Sequence, residues 1–153
     1  MMATWDAGLL SALFFASYEY KVMEQPGHLV YVVDDRTVVA ETLAMVLVQE
    51  GYRALAFDDP TMALSAAAIK HPDALISDVF MPRMTGIELA IKVKSAHPRC
   101  RVLLYSGQIH TAELLERAKK DGHEFEVLAK PVHPAQILER LRDLVGVEGE
   151  AAQ

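Results

Sequence analysis

Four short apolar runs in this chain each end on polar residues of a particular kind, and that repetition narrows the fold more than any other feature. Residues 29–33 lead into Asp34-Asp35, 74–77 into Asp78, 102–105 into Ser106-Gly107, and 125–129 into Lys130-Pro131. Short runs rich in β-branched residues, alternating with helical patterns, read as parallel strands of an α/β sheet. In such a sheet a ligand sits beyond the carboxyl ends of the strands, where the strand order reverses. An acid pair, an acid, a hydroxyl and a lysine at four successive strand ends therefore belong to one pocket.

The segments between the runs supply the helices. Thr37 is placed to cap a helix carrying Val39, Leu43, Val46 and Leu47 at helical spacing, and Gly51 ends it. A second strand covers 52–57. Asp58-Asp59-Pro60 then opens an alanine-rich helix that runs to Lys70 and is broken by Pro72. Residues 81–86 form a loop, followed by helices over 87–96, 112–121 and 135–145. The last has Ile137, Leu138, Leu141 and Leu144 as its core stripe. Five strands alternating with five helices give a doubly wound (βα)5, flavodoxin-like α/β fold with a parallel five-stranded sheet of order 2-1-3-4-5. The first and third strands, both ending in carboxylates, then flank the switch point.

Composition limits what such a domain can do. At 153 residues there is one core, and a net charge of −6 with no Lys/Arg cluster argues against a nucleic-acid partner. The single cysteine, Cys100, excludes an internal disulfide and fits the cytoplasm; it reads as half-buried at a strand start. The apolar stretch 8–16 is far short of the ~20 residues a membrane span needs, and no basic residue precedes it. We read residues 1–27 as an N-terminal extension, with Met23 as the expected start and weak helix expected over 5–22. Residues 28–146 are the domain, and 147–153 a short acidic tail.

Asp34, Asp35 and Asp78 converging in a low dielectric would have to take up protons or hold a cation. Hard oxygen donors suit Mg²⁺, and an aspartate beside Mg²⁺ points to phosphoryl transfer through an aspartyl-phosphate. Lys130 and Ser106 supply a cation and a hydroxyl for the phosphoryl oxygens. Taken singly, each has a bland reading: an acid pair caps helices, a lysine is a solvated charge, a serine closes a loop. Position at consecutive strand ends is what lifts them above it.

The motifs VVDD (32–35), ISDVFMPRMTG (76–86), LLYSG (103–107) and LAKP (128–131) resemble those of response regulator receiver domains, and the resemblance covers 29 to about 145. It implies that Asp78 is the phospho-acceptor. Asp35 would be a direct Mg²⁺ ligand, Asp34 would help largely through water, and the Phe80 backbone carbonyl would be a further ligand. Ser106 and Lys130 would sense the phosphoryl group, Lys130-Pro131 would be a cis peptide, and Gly86 would close the acceptor loop. The implied partners are a sensor histidine kinase or phosphotransfer protein and an output protein that meets the face of the fourth helix, fifth strand and fifth helix. The resemblance also allows a homodimer. Within these residues the chain reads as a stand-alone receiver that takes part in its own phosphorylation and is not a turnover enzyme.

Three positions depart from the family pattern. Val127 stands where an aromatic switch residue is common, so the usual rotating ring is missing. Tyr105 should point to the face opposite Ser106 and is a poor substitute. Phe80 replaces a frequent polar residue, and Thr85 the common aspartate, where we expect little effect. Two other readings are weaker. A phosphate-independent pseudo-receiver scaffold is opposed by the intact acids and lysine. A haloacid-dehalogenase-like phosphatase would need an aspartate at Phe80. The six histidines show no ligand spacing and read as exposed loop residues, while Met45, Met81 and Met84 read as packing.

Overall fold

A computed structural model of the chain describes residues 26–146; the expectations for 1–25 and for the acidic tail lie outside the described residues. The elements run β1 (Leu29–Val33), α1 (Thr37–Gln49), β2 (Arg53–Phe57), α2 (Pro60–Ile69), β3 (Ala74–Asp78), α3 (Gly86–Ala96), β4 (Arg101–Ser106), α4 (Thr111–Lys120), β5 (Glu126–Ala129) and α5 (Pro134–Val145). All strand pairs are parallel and the sheet order is β2-β1-β3-β4-β5, as the sequence predicts. Each boundary lies within a residue or so of its expected place.

Alternation along the strands sends successive side chains to opposite faces. Leu29, Tyr31, Val33, Leu75 and Leu104 pack with α2, α3 and α4, while Val30, Val32, Ile76, Leu103 and Tyr105 pack with α1 and α5. Both faces of β1 and β3 are buried, which is why these runs look continuously apolar. Val33 pairs with Ser77 at the top of the two central strands, so the residues just beyond, Asp34 and Asp78, emerge side by side.

Some local expectations need correction. Thr37 is the first helical residue and not the cap; Arg36 precedes the helix with no side-chain cap bond. The Thr37 hydroxyl instead donates to Asp58 Oδ2 at 3.0 Å, a tertiary partner that outcompetes the local one. Asp59 does cap α2, accepting from the Thr61 amide, and Pro60 opens that helix. Thr85 caps α3 by accepting from the Glu88 amide at 3.1 Å, so this position has a structural duty that a plain surface loop would lack. Cys100 is fully buried, and burial pushes its thiol up to about 11, which leaves it unreactive. Met81 and Met84 pack on the core, but Met45 is exposed on α1. His133 caps α5, and the rings of His71 and His97 lie 3.7 Å apart, so these histidines have partners that loop placement did not foresee.

Candidate functional site

The carboxyl ends of β1, β3, β4 and β5 carry Asp34-Asp35, Asp78, Ser106 and Lys130, and the structure brings all of them to one end of the sheet. Carboxylate oxygens of Asp34, Asp35 and Asp78 lie within 4.8 Å of one another. The three are not equally desolvated, however. Asp34 and Asp78 are buried, whereas Asp35 is exposed, so only two of them feel the low dielectric expected of all three.

Asp78 ends β3, and its carboxylate accepts from Lys130 Nζ at 3.1 Å. Burial raises its carboxyl above the ordinary carboxylate range; the Lys130 bond and charge pull it back, and Asp34 adds to the rise. The loop after Asp78 is held from below: Val79 N–H donates to the Tyr105 carbonyl at 3.1 Å and Gly86 N–H to the Val79 carbonyl at 2.7 Å. Gly86 is needed for space, because a Cβ there would lie 2.1 Å from the Asp78 carbonyl oxygen. Arg83, with φ of 72°, pairs with Asp59 Oδ2 at 2.6 Å and ties the loop to the start of α2. Lys130 N–H donates to the Ser106 carbonyl at 3.0 Å, and the Lys130–Pro131 peptide is cis.

Two partners in the site were not visible in the sequence. The Tyr105 hydroxyl donates to Asp34 Oδ2 at 2.6 Å, and the Arg36 amide donates to Asp34 Oδ1 at 2.9 Å. Burial and the adjoining Asp34 carboxylate push the Tyr105 hydroxyl far above its ordinary value, so it stays a donor. Lys130 Nζ lies 5.3 Å from the centre of the same ring, within cation–π range. Ser106 has its own unforeseen partner. Its hydroxyl bonds Thr111 Oγ1 at 2.6 Å and accepts from the Gln108 amide at 3.1 Å, while Thr111 donates to the Gln108 carbonyl at 2.9 Å. Strand alternation could have flagged Tyr105, and a hydroxyl five residues beyond Ser106 at a helix start was the available hint for Thr111. Neither hint names the partner.

A compact set of carboxylates with one solvent-facing member suits a hard divalent cation, and every described buried side-chain polar atom already has a protein partner. Both Asp34 oxygens are taken by other protein groups, so Asp35 and Asp78 are the members whose oxygens are least committed.

Comparison with known proteins agrees with this geometry. The family model described as "Response regulator receiver domain" matches residues 30–142. The probable transcriptional regulatory protein TcrX of Mycobacterium tuberculosis is 31% identical over 116 residues, covering 76% of this chain and 49% of TcrX. The response regulator MprA of Mycobacterium avium is 32% identical over 116 residues, covering 76% of this chain and 50% of MprA. The chain thus spans about half the length of the curated relatives it matches. Among solved structures, Vibrio cholerae chemotaxis protein CheY4 superposes with a TM-score of 0.68 at 26% identity, over 78% of this chain and 99% of that one. A CheY-like receiver domain protein from Methanospirillum hungatei gives 0.71 at 20% identity, over 84% and 100%, a likeness of fold. With the fold, the four strand-end residues and the family match in agreement, the chain belongs to the response regulator receiver domains of two-component signalling.

Proposed function

We propose that the chain receives a phosphoryl group on Asp78 from a sensor histidine kinase or phosphotransfer protein, in the presence of Mg²⁺, and thereby changes its contacts with an output protein. The observation that carries this reading is the buried Asp78 carboxylate held 3.1 Å from Lys130 Nζ within the acidic cluster. An oxygen of Asp78 attacks the phosphorus of a phosphohistidine; the P–O bond forms, the P–N bond breaks, and the imidazole leaves. Asp35, Asp78 and the Phe80 carbonyl would hold Mg²⁺ with help from Asp34, and the cation would neutralise charge on the phosphoryl oxygens. Lys130 Nζ, already 3.1 Å from Asp78 Oδ2, lies beside the acceptor to meet the arriving phosphoryl oxygens.

The donor protein must reach Asp78, and α1 offers apolar surface for it. Val38 and Met45 are exposed there, and an open cavity of about 640 Å³ is lined by Arg36, Val39, Thr42, Lys130 and Pro131. On the output side, Ser106 must give up Thr111 to reach a phosphoryl oxygen. Thr111 is the first residue of α4, so this exchange loosens the start of that helix without the ring missing at Val127 and biases the α4-β5-α5 face. We take 28–146 as the receiver domain, flanked by the extension 1–27 and tail 147–153, and place its kinase-fed chemistry in the cytoplasm. Among the described residues no helix is long and apolar enough to cross a membrane.

The test is incubation with a small-molecule phosphodonor and Mg²⁺. Wild type should acquire a hydroxylamine-labile phosphate, and Asp78→Asn should not; equal labelling of the two would remove the proposal. A second expectation concerns lifetime. Phe80 is two residues from the acceptor and half-buried against the core. Its apolar ring should limit attacking water, so Phe80→Asn should lose phosphate several-fold faster than wild type. Equal decay of the two phosphorylated proteins would show that the ring does not shield the acyl phosphate.

A further inference from the structure

The tyrosine beneath the acidic cluster has a role that phosphoryl acceptance alone does not assign. Asp34 is fully buried, with 0% of its surface exposed. A carboxylate so placed must be paired or hydrogen-bonded at each oxygen to stay charged. Both oxygens meet that demand within the protein: Oδ1 accepts from the Arg36 amide and Oδ2 from the Tyr105 hydroxyl. The tyrosine bond, at 2.6 Å, is a short hydroxyl–carboxylate contact.

Tyr105 is also fixed in place. It is 3% exposed, packs among Val30, Val32, Ile76 and Leu103, and is the register partner of Asp78 across the β3–β4 ladder. Its ring faces Lys130 Nζ. One side chain therefore touches the charged ends of two site residues, by its hydroxyl and by its ring. Because Tyr105 and Ser106 are consecutive on β4, the strand delivers one hydroxyl-bearing side chain to each face. Ser106 faces α4, and Tyr105 faces Asp34 from the α1–α5 side.

We propose that Tyr105 is a positioning residue of the acidic centre, whose hydroxyl satisfies Asp34 in the metal-free protein and so holds down the affinity for Mg²⁺. This rests on the reading of the cluster as a Mg²⁺ centre. A divalent cation gains most from carboxylate charge that nothing else has neutralised. With Tyr105 present, Asp34 already has its donors, and the metal-free state is stable. Without the hydroxyl, Oδ2 is left buried and unmet, and a nearby cation becomes the means of compensating it. Tyr105→Phe deletes the hydroxyl and keeps the ring, so packing and the contact with Lys130 persist.

The experiment is Mg²⁺ titration by calorimetry, paired with thermal unfolding in chelator and in saturating Mg²⁺. Tyr105→Phe should melt below wild type in chelator and bind Mg²⁺ about tenfold more tightly, the scale of one hydrogen bond to a charged group. Saturating Mg²⁺ should close most of the gap in Tm. In an Asp34→Asn background the same change should leave Mg²⁺ affinity unaltered, because the interaction being measured is absent. Mg²⁺ affinity in Tyr105→Phe equal to or weaker than wild type would overturn the proposal. So would a variant unfolded both with and without Mg²⁺, since the cation is said to take over the hydroxyl's task. A wild type that binds no Mg²⁺ is a different failure: it would remove the metal-centre reading itself.

Discussion

Gly86→Ala is expected to destabilise the domain by about 3 kcal/mol, the upper end of what forcing a methyl into a filled space costs. The reason is contact with backbone. The added Cβ would lie 2.1 Å from the Asp78 carbonyl oxygen and 3.0 Å from both the Asp78 carbonyl carbon and Ser77 Oγ. The atoms in the way cannot swing aside. The Asp78 carbonyl already accepts from Ser77 Oγ at 2.8 Å, and Gly86 N–H is fastened to the Val79 carbonyl. Relief must come from displacing the start of α3 or the loop that carries Phe80, so the variant should also accept phosphate poorly. Gly107→Ala is the natural control. There the added Cβ would meet only the Lys130 side chain, no closer than 3.4 Å, and Gly107 is exposed, so a change within about 0.5 kcal/mol is expected. Urea unfolding with an unchanged m-value reads both effects. A Gly86→Ala protein as stable as wild type would mean that β3 and α3 are not pressed together at this point.

Asp78→Asn should be more stable than wild type at neutral pH, by on the order of 1 kcal/mol, while losing the acceptor. Burial disfavours the ionised Asp78 carboxylate more than Lys130 favours it, so its folded pKa lies above its unfolded value. The folded protein therefore holds this proton more tightly than the unfolded chain does. The residue's contribution to stability is fully present below the unfolded pKa and is lost as pH rises through the raised folded value. Asparagine never acquires the charge, and its carbonyl can still accept from Lys130. The advantage of the variant should accordingly shrink as the pH is lowered into the carboxylate range, where wild-type Asp78 protonates. Paired denaturant titrations across that range measure it. A variant less stable than wild type at neutral pH would place the Lys130 interaction above the cost of burial. The expected sign fits a functional site, where stability is given up to keep a reactive charge.

The strand-end residues were legible because parallel strands buried on both faces leave an unbroken apolar record, and the polar residue that ends each run is conspicuous. Asp34, Asp78, Ser106 and Lys130 stood out for that reason, as did the order of the sheet. Pairings across long sequence separations left no such record. The Tyr105–Asp34 bond joins residues 71 apart, and in sequence Tyr105 looks like one more strand hydrophobe. Thr37 appeared to be a cap because its competitor, Asp58, lies 21 residues away. The exposure of Asp35 follows from its standing one residue beyond the buried Asp34, outside the layer that the strands and helices enclose. Ser106 was legible as a hydroxyl near the acceptor, but its present engagement with Thr111 belongs to the turn between β4 and α4. That turn is held by bonds among Ser106, Gln108 and Thr111, which the residue types alone do not reveal.

The most direct measurement locates the phosphoryl group. After incubation with a small-molecule phosphodonor and Mg²⁺, borohydride reduction converts an acyl phosphate to the corresponding alcohol, and peptide mass spectrometry then identifies the residue. Reduction is expected at Asp78 alone, dependent on Mg²⁺. Phosphate found on a histidine or on Ser106, or an unmodified Asp78 in folded protein, would contradict it.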